Sequence, residues 1–235
     1  MKRIGSVLLI MILVSGIFCG AAFADDKKGK EVTFLDIPWE SSIEDTVALL
    51  KDKGVIVDIA QKCIPTENWL IDGSQNGNLL NSKCAIMWST EYSAVLQSAD
   101  FYKDVELTDY EIGGYVISNM ELLFMNDGDN SKLISVCVYL ETPSGYDATK
   151  DVFPNIKEKL ESVYGKLKKV SCFGYRGYSY KGNNNAGVCL MNLADNGGWI
   201  TLVYGRTDAV DLLKEAMKSV RDSNPDLSTT NTNGL

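Results

Sequence analysis

Histidine is absent from this 235-residue chain. Without an imidazole there is no Ser-His-Asp or Cys-His catalytic set, no His-ligated zinc, no proximal-His haem and no His proton shuttle near neutral pH. Positive charge is scarce as well: 23 Lys and Arg stand against 31 Asp and Glu, for a formal charge of -8. Affinity for a phosphate backbone comes mostly from clustered Lys and Arg, so a nucleic-acid partner is not expected. Five prolines and 20 glycines argue against a collagen-like or low-complexity chain. No Cys-x-x-Cys pair occurs, which removes the thioredoxin-type redox site and the zinc ribbon. The serines beside lysines, Ser131-Lys132 and Ser82-Lys83, lack the spacing of Ser-Lys acyl enzymes. What remains is ordinary globular composition, 45% hydrophobic and 23% charged.

The long apolar run lies at the start. Lys2 and Arg3 form a positive n-region, Val7 to Val14 are unbroken apolar, and Ala22-Phe23-Ala24 is a small-x-small site. Together they predict a signal peptide over 1–24, cleaved to leave Asp25 at the mature N-terminus. Ser15, Gly16 and Gly20 interrupt the run short of the ~20 apolar residues of a spanning helix. Bulky Phe18 before Cys19 is wrong for a lipid anchor. Cleavage leaves 211 residues with net charge -10, expected in the periplasm or outside the cell with no membrane span. That length supports a real core, so we expect one domain over 25–222. A tail over 223–235, rich in Ser, Thr and Asn, is expected to be disordered.

Five cysteines remain after cleavage: Cys63, Cys84, Cys137, Cys172 and Cys189. In an exported chain disulfides are the default, and an odd count leaves a thiol over. The sequence-local pairs Cys63–Cys84 and Cys172–Cys189 are the expected bridges, each stabilising by roughly 3 kcal/mol in the chain-entropy account. Cys137, inside a strand, is the expected leftover. The alternative is that some of them are buried thiols acting as small hydrophobes.

Hydrophobic periodicity places the elements. Ser41 with Glu44 three residues on predicts a capping box, and Ile43, Val47 and Leu50 form one helical stripe stopped by Gly54. Val55, Val57 and Ile59 suggest a short strand. Residues 60 to 110 read poorly, with a strand over Cys84 to Trp88 and a helix over Tyr92 to Tyr102 as expectations. Val116, Met120, Leu122 and Phe124 predict one face of a strand, with Asn119 and Glu121 on the other. After the turn Asn126 to Asn130, a strand from Lys132 to Leu140 places Ile134, Val136, Val138 and Leu140 together. The pair reads as a hairpin with one buried and one more polar face. A second helix from Thr149 or Asp151 to Tyr164 shows Phe153, Ile156, Leu160 and Val163 as its stripe, with Gly165 as its stop. Strands over Gly187 to Leu193 and Trp199 to Tyr204 follow. A last helix begins at Thr207 or Asp208, with Val210, Leu213, Met217 and Val220 along one face. The sum is an α+β fold: an antiparallel sheet built from hairpins, with helices packed on one face as a two-layer arrangement.

The opening Phe34-Leu35-Asp36-Ile37-Pro38-Trp39-Glu40-Ser41-Ser42 resembles the "IPWG-[ST]-S" start of small exported bacterial proteins of uncharacterised function. Tyr164-Gly165 and Trp199 fall where those proteins carry a helix ending in Tyr-Gly and a late Trp. The chain departs from them at Glu40, where Gly is usual, and in its long 60 to 110 segment. The overall plan is also similar to the β-lactamase inhibitory protein and to small outer-membrane assembly lipoproteins, a likeness of fold that implies protein binding only by analogy.

Three groups of residues invite a functional reading. Tyr175, Arg176, Tyr178 and Tyr180, interleaved with glycines, have the composition of an interface; the simpler account is a glycine-bent strand whose aromatics pack into the sheet or a disulfide. Asp127, Asp129 and Ser131 have calcium-loop spacing, but Lys132 sits where such a loop needs Gly, and a hairpin turn accounts for them. Lys157, Lys159, Lys166, Lys168 and Lys169 form a basic patch that would suit an anionic partner, or simply a solvated helix face. No pattern calls for a cofactor or a metal. The reading is an exported, non-enzymatic binding protein, its partner a protein or cell-envelope component. The alternative is a small carboxylate-dependent hydrolase of cell-wall glycans, which needs two flanking acids.

Overall fold

The computed structural model describes residues 29–62, 99–127, 130–172, 175–194 and 199–208, with Leu212, Glu215 and Asp222 beyond them. The expected leader, the Cys63–Cys84 pair, the Cys84 to Trp88 strand and the C-terminal tail lie outside the described residues. So do most of the residues of the last helix.

Helix α1 spans Ile43–Asp52. Its cap is Ser42, whose hydroxyl accepts from the Asp45 amide at 3.0 Å. Ser41 instead turns its hydroxyl back to the Pro38 carbonyl, so the expected capping box falls one residue too early. Gly54 ends the helix at φ 68, a conformation glycine adopts without a Cβ clash. The second helix starts as a single π turn, Ala148–Val152, and continues as α2, Phe153–Tyr164. Its first amides are held by Asp147, which accepts from Thr149 and Lys150. Phe153, Ile156 and Leu160 are buried as the stripe requires, while Val163 is exposed. Among the described residues, no helix is long and apolar enough to cross a membrane.

Nine strands are described: β1 Ile56–Lys62, β2 Ala99–Leu107, β3 Glu111–Ile112, β4 Tyr115–Asp127, β5 Asn130–Leu140, β6 Lys168–Cys172, β7 Tyr175–Lys181, β8 Ala186–Asn192 and β9 Ile200–Arg206. The sheet order is β1-β2-β4-β5-β9-β8-β7-β6, antiparallel throughout, with β3 paired beside β4. The α+β class therefore holds. One expectation reverses: residues 99 to 102, expected as the end of a helix, are strand and pair with β4.

Two bulges reset the strand phases. Ser118 is the extra residue on β4, between the pairs Ile117–Leu140 and Asn119–Tyr139. Ile117 rather than Val116 therefore joins Met120, Leu122 and Phe124 in the core. Ile134 is the extra residue on β5, which brings Leu133 to the core face in its place. A period-2 pattern read straight through a bulge changes face.

The core lies between the helices and one sheet face. Leu122, Val136, Val138, Leu202, Tyr204, Val188 and Leu190 meet Leu50, Val152, Phe153, Ile156 and Leu160 there. The segment before α1 seals one end of this layer. Val32, Phe34 and Ile37 are buried, and Phe34 packs on Tyr204 with ring centroids 5.3 Å apart. The Asn184 side chain grips Val32 by both its amide and its carbonyl, and the Trp39 indole donates to that carbonyl at 2.8 Å.

Glu40 closes the segment at φ 70. Its amide donates to the Leu133 carbonyl, and the Leu133 amide returns a bond to the Ser41 carbonyl. A left-handed backbone is one that glycine adopts without strain, and here a side chain is carried through it. The Glu40 carboxylate also pairs with Arg206, which holds Asp208 by two further bonds of 2.8 and 2.6 Å. A left-handed non-glycine residue costs about 1–2 kcal/mol, and an exposed ion pair returns about 0.2–1 kcal/mol. Glu40→Ala should therefore destabilise while Glu40→Gly stays near wild type, with the two midpoints of denaturant unfolding clearly apart. Coincident midpoints would show that no strain is held there.

Bonding to Arg206, its largest cause, holds the Asp208 carboxyl below its ordinary value against the opposing effect of burial. A depressed folded-state pKa gives stability that is complete above the unfolded value, about 4, and lost as pH falls through the folded one. Unfolding followed from pH 6 down to pH 2 should show Asp208→Asn less stable than wild type at the upper end and converging on it at the lower. A constant gap over that range would sink the assignment.

Candidate functional site

The second face of the sheet carries the chemistry that the strand pattern hid. Residues facing each other across neighbouring strands project to the same side. Glu121, Cys137, Val203, Cys189 and Ser179 therefore form one row across β4, β5, β9, β8 and β7. The next row carries Asn119, Tyr139, Thr201, Met191 and Gly177. Glu121, Ser135, Cys137, Tyr139, Thr201, Val203, Cys189, Met191 and Ser179 are all buried, yet none belongs to the cluster that packs on α1 and α2. The expected polar face of the β4–β5 hairpin is thus an interior face. Strands β8 and β9 are buried at nearly every residue rather than at alternate ones, the pattern of strands covered on both sides.

Glu121 is the buried carboxylate of the described residues, 2% exposed. The Tyr139 hydroxyl donates to its Oε2 at 3.3 Å, and the Trp199 ring meets the Tyr139 ring edge-on at 5.7 Å. Burial first, then the neighbouring Cys137 and Glu121, pushes the Tyr139 phenol far above its ordinary value. Burial likewise drives the Cys137 thiol well up, with Glu121 and Cys189 adding to it. Both groups are held protonated. A protonated thiol is a poor nucleophile and metal ligand, so this row is built for packing. The Ser179 hydroxyl in the same row has no hydrogen-bond partner among the described residues. At Gly177 a Cβ would stand 2.4 Å from the Met191 sulfur, so the bare backbone there lets β7 and β8 close together.

The sequence-predicted residues divide. Tyr178 and Tyr180 project toward α2 and are half-buried: Tyr178 packs on Phe153 and lies under the Lys157 ammonium, while Tyr180 stacks on Tyr164 at 5.1 Å. Tyr180 also accepts from the Lys30 amide. Arg176 shares their side of the strand and is exposed, and half-buried Tyr175 faces the other way. The four do not form one surface; packing accounts for Tyr178 and Tyr180.

The Cys172–Cys189 bridge does not fit the register. Cys172 lies opposite Tyr175 and Cys189 opposite Ser179. They are two strands and four residues apart, roughly 16 Å by sheet spacings, where a disulfide needs Cα atoms within about 7 Å. No disulfide forms among the described residues. Of the basic patch, Lys157 pairs with Glu161 at 2.6 Å and Lys159 bonds the Gly113 carbonyl, while Lys166, Lys168 and Lys169 are exposed. Of the calcium-spaced residues, the Ser131 hydroxyl accepts from the Ile43 amide. Asp129 and the Asp127 side chain lie outside the described residues, among which no metal-holding cluster occurs.

No family model, curated protein or solved structure matches this chain.

The period-2 pattern puts Glu121 on the more polar face of the hairpin. The signal that corrects it is the near-unbroken apolar run in Gly187 to Met191 and Ile200 to Tyr204, which announces burial on both sides. Tyr139→Phe removes one donor to a buried carboxylate and should cost roughly 1–3 kcal/mol. Adding Glu121→Leu to it should recover part of that loss in a double-mutant cycle, since no buried polar group is then left underserved. Additive losses would show that the two side chains do not interact.

Proposed function

We propose that this chain is an exported, non-enzymatic binding protein whose partner is a protein or a component of the cell envelope. One observation carries the reading. The row of Glu121, Cys137 and Cys189 is buried in the sheet, while the surface offers large and basic side chains such as Trp199, Tyr146, Lys168, Lys169 and Arg176. Recognition uses aromatic and Arg anchors in this way. A carboxylate hydrolase needs two acids about 5–9.5 Å apart on either side of a bond. Among the described residues Glu121 is the one buried acid, and Tyr139 already occupies its oxygen, which favours binding over hydrolysis.

Expressed in full, the chain should leave the cytoplasm and begin at Asp25 by N-terminal sequencing. The mature form, immobilised and exposed to envelope fractions, should retain a specific component and release no reducing sugar from purified cell-wall glycan. Sugar release that survives Tyr175→Ala and Arg176→Ala but is lost on acid substitution would overturn the reading in favour of the hydrolase.

A further inference from the structure

We infer that strand β6 is a docking edge to which an extended acidic segment of a partner protein adds as a further strand. The inference rests on the binding reading above and names its partner class. The sheet path has two ends, β1 and β6, and they differ. The β1 edge is broken: its register against β2 slips at three places between Ile56 and Lys62. Bulges of this kind twist an edge away from new partners. The β6 edge is regular, pairing residue for residue with β7 from Lys168–Ser179 to Cys172–Tyr175 without a slip. Its outer side has no strand partner among the described residues.

Charge selects what adds there. Lys168 and Lys169 are exposed on opposite faces of the strand, Lys166 precedes them, and exposed Arg176 lies on the Lys169 side of β7. This cationic edge belongs to a chain with an excess of eight acidic charges. Lysines on an edge repel a second copy of the same edge, which blocks self-addition. The same charges attract a strand bearing Asp or Glu, so one feature rejects the wrong partner and admits the right one. Strand addition supplies affinity through main-chain bonds, and alternate side chains supply specificity. Glu at every second position would align with Lys169 and Arg176 on one face.

The probe is a fluorescein-labelled nonapeptide of alternating Glu and Thr, titrated with the mature chain and followed by anisotropy. The same Glu-Thr peptide N-methylated at every backbone nitrogen keeps the charge but loses the N–H donors of both edges, and one of alternating Lys and Thr reverses the charge. The Glu-Thr peptide should bind, with the other two at least roughly tenfold weaker, and Lys168→Glu/Lys169→Glu should weaken it by a similar factor. Hydrogen exchange should show new protection at β6 amides and none at β1. Equal binding of the N-methylated peptide would overturn strand addition and mark the patch as a site for any polyanion. No binding of the Glu-Thr peptide, or protection away from β6, would also overturn it. If an envelope component is retained by wild type and by the double charge reversal alike, binding stands and this docking edge falls.

Discussion

The fold depends on burying the central strands β5, β9 and β8 on both faces. A strand of this kind cannot send its polar groups to water, so each must find a partner inside. Ser135 donates to the Tyr204 carbonyl at 3.0 Å, and Tyr139 donates to Glu121. Asn192, at the end of β8, meets Thr149 of the π turn through its amide. These bonds do more than offset desolvation. They tie the sheet to the start of α2 and fix the alignment of neighbouring strands, because a slip of one residue would strand every one of them.

Much of this was legible in the sequence, for identifiable reasons. Helices α1 and α2 announced themselves because Gly54 and Gly165 end apolar stripes of helical period, and the glycines at φ 68 and φ 86 do what their position implies. The β4–β5 and β8–β9 hairpins were legible from turn residues between apolar runs. What failed was phase and depth. Bulges at Ser118 and Ile134 shift which residues face the helices, and nothing in a period-2 pattern reveals an extra residue. Glu121 and Asn119 look like solvent-facing residues until β5 and β9 are placed beside them. Tyr178 and Tyr180 look like an interface until Phe153, Tyr164 and Lys157 are found against them. Tertiary neighbours decide such cases, and a single strand does not contain them.

Glu40 shows how a local departure is absorbed. Its left-handed backbone is imposed by two bonds to Leu133, which fasten the N-terminal segment to β5. The side chain then reaches Arg206, and Arg206 reaches Asp208. Two distant parts of the chain, the approach to α1 and the end of β9 with the residue just beyond it, meet at one guanidinium. A planar, permanently charged fork can serve two carboxylates at once, which a lysine could not do with the same geometry.

The buried thiols bear on the proposed export. Cys137 and Cys189 both flank Val203, two strands apart, roughly 10 Å by sheet spacing and beyond disulfide reach of each other. An oxidising compartment attacks thiolates, and burial keeps Cys137 in the thiol form. Neither cysteine therefore has to be read as half of a bridge. Each fills space between bulkier neighbours as a small apolar side chain. These two thiols are then compatible with an exported chain, because the fold removes their chemistry from solvent instead of consuming it in a cross-link.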